Sequence, residues 1–372
     1  MRTVIRDVRL FDGEKTTTRA TVLIVDDRIA EYDHGPADIE IDGAGRTVLP
    51  GLIDAHTHTF DSSDLAAALT HGVTTELDMF CLPAHLATQR ALADHRDDIA
   101  DFRSAGTLAT APGGHPSQLM SAPGIAELGL APFDTIQSPE QAPAFVRDRL
   151  AEGANYLKIV IDDGAVHGHE LPVLSEQTAR ALVDAAHAAG LLVIAHAITA
   201  AEVRVALHAG VDGLAHVWTD DTGAADLVAE VAARGIFVIS TLVYFEAITQ
   251  QTVAAPDCAV PGTAAGAARI ARLLYQAGVP LLAGTDATPF VPAHGADLHR
   301  ELRLLTVAGL TCEEALAAAT SVPARHFALT DRGRVAPGLR ADLLLVDGDP
   351  TTDITATHAI AEVWRRGVRQ AR

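Results

Sequence analysis

Residues 50–58 read PGLIDAHTH: a Pro-Gly turn, an apolar run, then His56 and His58 one residue apart. Side chains alternate along a β-strand, so two histidines at this spacing share a face. A His-x-His pair alone is weak evidence for a ligand pair. Its place at the end of an apolar strand gives it weight, because the same placement recurs along the chain. The strand candidates are VLPGLIDAH (48–56), GVTTELDMF (72–80), RSAGTLAT (103–110), YLKIVID (156–162), LLVIAHA (191–197), DGLAHVW (212–218), IFVIST (236–241) and PLLAGTD (280–286). Each is followed by enough residues for a helix, mostly an Ala-rich one. Eight such units over roughly 280 residues predict an α/β fold, a (β/α)8 TIM barrel in preference to an open doubly wound sheet.

Active sites of such barrels are assembled at the C-terminal strand ends. The polar residues there are His56, His58, Lys158, His196, His216 and Asp286. A single buried histidine is most simply a hydrogen-bonded core residue. Four histidines, a lysine and an aspartate at one position of a repeat do not fit that explanation. Lys158 stands out further: of 28 basic residues only Lys15 and Lys158 are lysines, so a lysine within YLKIVI is not an accident of composition.

The chain ends read differently. Residues 2–10, 21–24 and 28–32, and then 341–346 and 359–365 with a DGDP turn between them, are short β-like runs. Neither end could bury a core alone. The expectation is a discontinuous β-sandwich domain from residues 1–50 and 335–372, around a metal-binding barrel domain spanning 51–334.

Composition narrows the function classes. Of 372 residues, 48% are hydrophobic and 20% charged, which fits a globular protein with a sizeable core. A formal net charge of -20 disfavours nucleic acid and anionic lipid as partners. The N-terminal stretch lacks a signal-peptide pattern, and no apolar run of about 18 residues predicts a membrane span. Cys81, Cys258 and Cys312 are scattered and odd in number, which predicts reduced thiols and a cytoplasmic location. No GxGxxG or P-loop sequence follows any strand. The expected partner is a small-molecule substrate, with homo-oligomerisation left open.

The sequence resembles the amidohydrolase superfamily, in its imidazolonepropionase-like and Xaa-Pro dipeptidase-like branch. The resemblance covers essentially the whole chain. It rests on PGLIDAHTH, YLKIVIDDG, VIAHA, GLAHV, GTDATP and EEALAAATSVPARHFALTDRGRVAPGLRADLLLVDGDP (313–350). It implies the same barrel with a β-sandwich from both termini. It also implies that His56, His58 and Asp286 bind one metal ion and His196 and His216 a second. Lys158, N-carboxylated by carbon dioxide, would bridge them. Only a primary amine can be carboxylated, and the product is an anionic oxygen ligand where a free ammonium would repel both ions.

Two divalent ions, with zinc the best match to imidazole and carboxylate ligands, would acidify a shared water. The resulting hydroxide would attack an amide, carbamate or ester carbonyl, and Asp286 would pass the proton to the leaving group. His115 in GGHPSQ and Tyr244 in STLVYF stand where relatives carry substrate-contacting groups; the His-Gly-Asp that often follows in those relatives is absent. Phe60, Met79, Phe80, Trp218, Tyr244, Phe245 and Phe290 fall at or just past strand ends, and six of the chain's sixteen aromatic residues are among them. No arginine joins them, which predicts an apolar, largely uncharged substrate. The alternatives are a mononuclear deaminase of the same superfamily, phosphotriester or lactone hydrolysis on the same centre, and a non-catalytic binding protein. The strand-four lysine counts against the first and the intact ligand set against the last.

Overall fold

The computed structural model describes residues 1–118, 132–168, 170–254, 262–289 and 291–371. Among these residues the strands are β1 (Arg2–Phe11), β2 (Thr16–Val25), β3 (Arg28–Ala30), β4 (Ile39–Asp42), β5 (Arg46–Pro50), β6 (Leu52–Thr57), β7 (Val73–Asp78), β8 (Asp101–Ser104), β9 (Leu157–Val160), β10 (Val193–His196), β11 (Gly213–Leu214), β12 (Phe237–Ile239), β13 (Leu281–Leu282), β14 (Leu343–Asp347), β15 (Ile360–Arg365) and β16 (Val368–Arg369). Helices occupy much of the chain between β6 and β14, giving a mixed α/β protein. Its residue contacts divide it into two compact units, the first of residues 1–77, 89–102 and 282–372, the second of 78–88 and 103–281.

In the first unit both chain ends meet in one eight-stranded sheet, ordered β16-β15-β14-β5-β1-β2-β3, with β4 paired to β1. Strand β14 runs antiparallel to β5, setting Leu343 opposite Pro50 and Leu345 opposite Val48. The inward residues, among them Ile5, Val8, Ile24, Val48, Leu343, Leu345 and Trp364, form a common apolar core. Strand β2 begins five residues before the apolar stretch 21–24, since its exposed Thr-rich half still pairs with β1 through the backbone. The DGDP turn is followed by a short 3-10 turn, Ile354–His358, before β15. Strands β6, β7 and β8 form a second, three-stranded sheet, and every residue of β6 and β7 is buried.

A buried ionic cluster sits at the start of β8. Asp101 bonds Arg332 Nη1, and Arg340 and Arg365 lie 3.4 and 3.6 Å from it. Arg332 also donates to Thr75 on β7, and Arg340 bonds Asp342. Burial lowers the Arg365 guanidinium to about 10 against the pull of Asp342 and Asp101.

The second unit holds a five-stranded sheet ordered β13-β12-β11-β10-β9. Strands β9 to β12 pair in parallel, and β9 and β10 are buried throughout. Local signals set the boundaries of the intervening helices. Ser175 and Thr199 cap the helices Glu176–Ala188 and Ala200–Ala209, and Gly210, at φ 91°, ends the second. The third strand lies earlier than the RSAGTLAT reading: it stops at Ser104, because Gly106 turns the chain at φ 63°, and Ala109 makes only a bridge to Ile159. Gly213 is required on β11, since a Cβ there would lie 2.2 Å from the Phe237 ring. Among the described residues no helix is long and apolar enough to cross a membrane.

Asp101→Asn should leave three buried guanidiniums short of a counter-charge. The expected cost is about 3–5 kcal/mol, read as a lower urea midpoint at unchanged slope.

Candidate active site

In the first unit, β6 delivers His56 at its end and His58 just beyond it, while Asp286 follows β13. His56 Nε2 lies 3.1 Å and His58 Nε2 3.0 Å from the same oxygen, Asp286 Oδ1. His56 is buried, while the side chains of His58 and Asp286 are 24% and 13% exposed. Burial would raise the Asp286 carboxyl, but the charge and hydrogen bond of His56 and the bond from His58 hold it well below the usual carboxylate range. Its backbone is left-handed at φ 59°, a conformation aspartate tolerates better than most side chains.

Asp54 fixes that turn. Its carboxylate accepts the Thr285 hydroxyl at 2.6 Å and the backbone N–H groups of Thr285 and His56 at 3.0 and 3.2 Å. Asp54 therefore ties β6 to the Asp286 turn through main chain and hydroxyl. Burial and the Glu76 charge push its carboxyl up to about 8, against these hydrogen bonds. Glu76, fully buried on β7, accepts from Thr59 Oγ1 at 3.1 Å and from His294 Nδ1 at 2.9 Å. Burial lowers the His294 imidazole, but Glu76, Asp64 and Asp54 outweigh it and raise it to about 9. His299 packs beside this region, its Nε2 donating to the His71 carbonyl at 2.9 Å.

In the second unit, Lys158 lies on β9, His196 ends β10 and His216 follows β11, all buried. The rings of His196 and His216 meet edge to face with centroids 4.6 Å apart. The Thr241 hydroxyl, 2.8 Å from His216 Nδ1, orients that ring. Asp162, four residues past Lys158, sets Oδ2 3.3 Å from His196 Nε2 and 3.5 Å from His115 Nδ1. Burial raises the Asp162 carboxyl, yet the His196 hydrogen bond and the two imidazoles hold it below its ordinary value. His115 stacks on His196 at 4.9 Å and on His167 at 6.5 Å. His167 Nε2 lies 3.5 Å from the Tyr244 hydroxyl, and the Tyr244 ring lies 5.7 Å from His216.

Glu202 supports this group from behind. It accepts backbone N–H groups of Asp163, Ile198 and Thr199 at 3.0, 2.8 and 2.9 Å, joining the segments that follow Asp162 and His196. Burial, with the Asp162 charge adding to it, raises its carboxyl to about 7 against those hydrogen bonds.

The aromatic set divides. Tyr244 and Phe245 stand against His216, on the helix Leu242–Ala254 that follows β12. Met79 and Trp218 are fully buried and Phe60 is half-buried. Phe80 packs edge to face on Phe133 at 5.0 Å. Phe290 lies outside the described residues. Glu76, Asp162, His167, Glu202 and Thr241 are among the groups that escaped the sequence reading; Glu76 and Asp162 had a signal, each being an acid within or at the end of an apolar strand.

Comparison with known proteins gives the family. The sequence profile of the amidohydrolase family matches residues 47–370. An uncharacterised protein of Mycobacterium tuberculosis is 30% identical over 360 residues, covering 91% of this chain and 88% of that one. The imidazolonepropionase of Anaeromyxobacter sp. (strain K) is 28% identical over 396 residues, covering 92% and 86%. A solved Xaa-Pro dipeptidase with bound methionine shares the fold at a TM-score of 0.84 and 23% identity, over 100% of both chains. The chain thus belongs to the amidohydrolase family and is a hydrolase acting on C–N bonds.

Proposed function

We propose that this enzyme is a two-metal hydrolase that cleaves an amide, carbamate or ester bond in an apolar, largely uncharged substrate. His56, His58 and Asp286 would hold one divalent ion and His196 and His216 the other, with Lys158, once carboxylated on Nζ, supplying an anionic oxygen ligand to both. The convergence of two imidazole nitrogens on one buried carboxylate oxygen, within 3.1 Å, carries the proposal. The donor chemistry fits the group: neutral imidazole and carboxylate suit zinc and its neighbours. A lysine 2% exposed on an apolar strand fits the role of an anionic bridge once carboxylated. The fold on which the reading rests is the (β/α)8 barrel of residues 51–334, with residues 1–50 and 335–372 as a flanking β-sandwich.

When bound, the two ions supply an acidified water and polarisation of the scissile carbonyl. The chain's own groups do the rest. Asp286 takes the proton released by the attacking water and delivers it to the leaving nitrogen or oxygen. His115 and Tyr244 orient the substrate by hydrogen bonds, with His167 beside the Tyr244 hydroxyl. The half-buried Tyr244 ring, packed against His216 and backed by the fully buried Phe245, gives the acyl or aryl portion an apolar wall.

Chelation to completion should abolish hydrolysis, and added zinc should restore it; elemental analysis should find two ions per chain, whereas one would favour the deaminase reading. Lys158→Arg should lose at least one ion, and wild-type protein given labelled bicarbonate should show a carbamate carbon by NMR. Asp286→Asn should lower kcat by about 10²–10⁴-fold. In a panel of N-acyl amino acids, aryl amides, carbamates and lactones, uncharged substrates should be preferred; a clear preference for short anionic dipeptides would defeat the substrate assignment.

A further inference from the structure

We propose that Glu76 and His294 are a buried positioning pair that sets the affinity of the ion held by His56, His58 and Asp286. The inference rests on the two-metal reading above, and it names residues that reading does not use.

Glu76 lies within a strand whose six residues are all buried, and its own exposure is 0%. A carboxylate there is costly unless its charge is met. It is met by His294, whose Nδ1 sits 2.9 and 3.1 Å from the two carboxylate oxygens. The same carboxylate accepts the hydroxyl of Thr59, the residue after His58. The far side of the His294 ring faces Asp64, with Nε2 3.9 Å from Oδ2. Asp64 in turn accepts the backbone N–H groups of Phe60 and Asp61 at 2.8 and 3.2 Å. His294 is thus set between two acids, both bonded to the segment that leaves His58.

His294 also belongs to the loop that carries Asp286. That loop is closed on itself by Thr288 N–H to the Pro292 carbonyl at 3.1 Å and by Ala293 N–H to Asp297 at 2.7 Å. Asp286 is therefore bracketed. Asp54 grips Thr285 on one side, and Glu76 grips His294 on the other. Both grips end on the stretch that bears His56 and His58. Loss of either partner would leave a buried charge without its mate and release one side of the bracket.

The test compares wild-type protein with His294→Asn, Glu76→Gln and the double variant, each as the full chain. Ions per chain are counted, affinity is measured by competition with a chelator for zinc, and Tm is recorded alongside. Each single variant should bind one ion about 10–100-fold more weakly while the other is unchanged. Activity should return at higher zinc. The double variant should be no weaker than the worse single, as expected for one coupled unit. Wild-type zinc affinity in a folded variant overturns the proposal, and so does a fall in Tm with no change in affinity. If Glu76→Gln fails to fold, His294→Asn, on a loop, decides. The wild-type ion count judges the two-metal reading separately, since the affinity comparison holds for whatever number of ions the wild-type chain binds.

Discussion

One oxygen atom, Asp286 Oδ1, receives two imidazole nitrogens within 3.1 Å. Bringing three polar groups that close, largely out of water, is unfavourable unless the backbone around them leaves little choice. The first unit supplies that constraint. The Asp54 carboxylate is used entirely on the Asp286 turn and on β6, and the left-handed backbone at Asp286 is one that such a grip can hold. The histidines need only the strand alternation that puts them on one face.

The second unit uses the same device with other residues. Glu202 spends its carboxylate on three main-chain N–H groups from two loops, and those loops follow Asp162 and His196. Thr241 holds the His216 ring by a single hydroxyl. In both units a buried acid acts as a clip on main chain while the side chains with chemistry to perform stand one or two residues away. The arginine-aspartate cluster at Asp101 differs in kind, because its members bond chiefly to one another and so bear on stability.

Much of this was legible in the sequence. Seven of the eight strand readings overlap strands β6, β7 and β9 to β13 almost end to end or contain them, because fully buried strands read as apolar runs. The eighth slipped, since RSAGTLAT carries small and apolar residues on past Gly106 and only the positive φ there tells where pairing stops. The short strands β4 and β16 were missed, since IEID lies among turn residues and two residues at β16 carry no periodicity, while the VLPGLIDAH reading merged the end of β5 with β6. Histidines at strand ends announced themselves. Glu76 and Asp162 were visible as letters, but which neighbour each acid meets depends on loops far away in sequence, at His294 and His115. His167 sits on a short 3-10 turn, where no pattern of spacing points to it.

The scarcity of lysine has a practical side. Lys158 is 2% exposed, while Lys15, the chain's other lysine, faces solvent. Reagents that attack amines, whether dyes, tethers or resin-bound esters, therefore meet very few points of entry on this molecule. Material coupled through its one exposed lysine would be held in a narrow set of orientations, anchored at the β1–β2 turn.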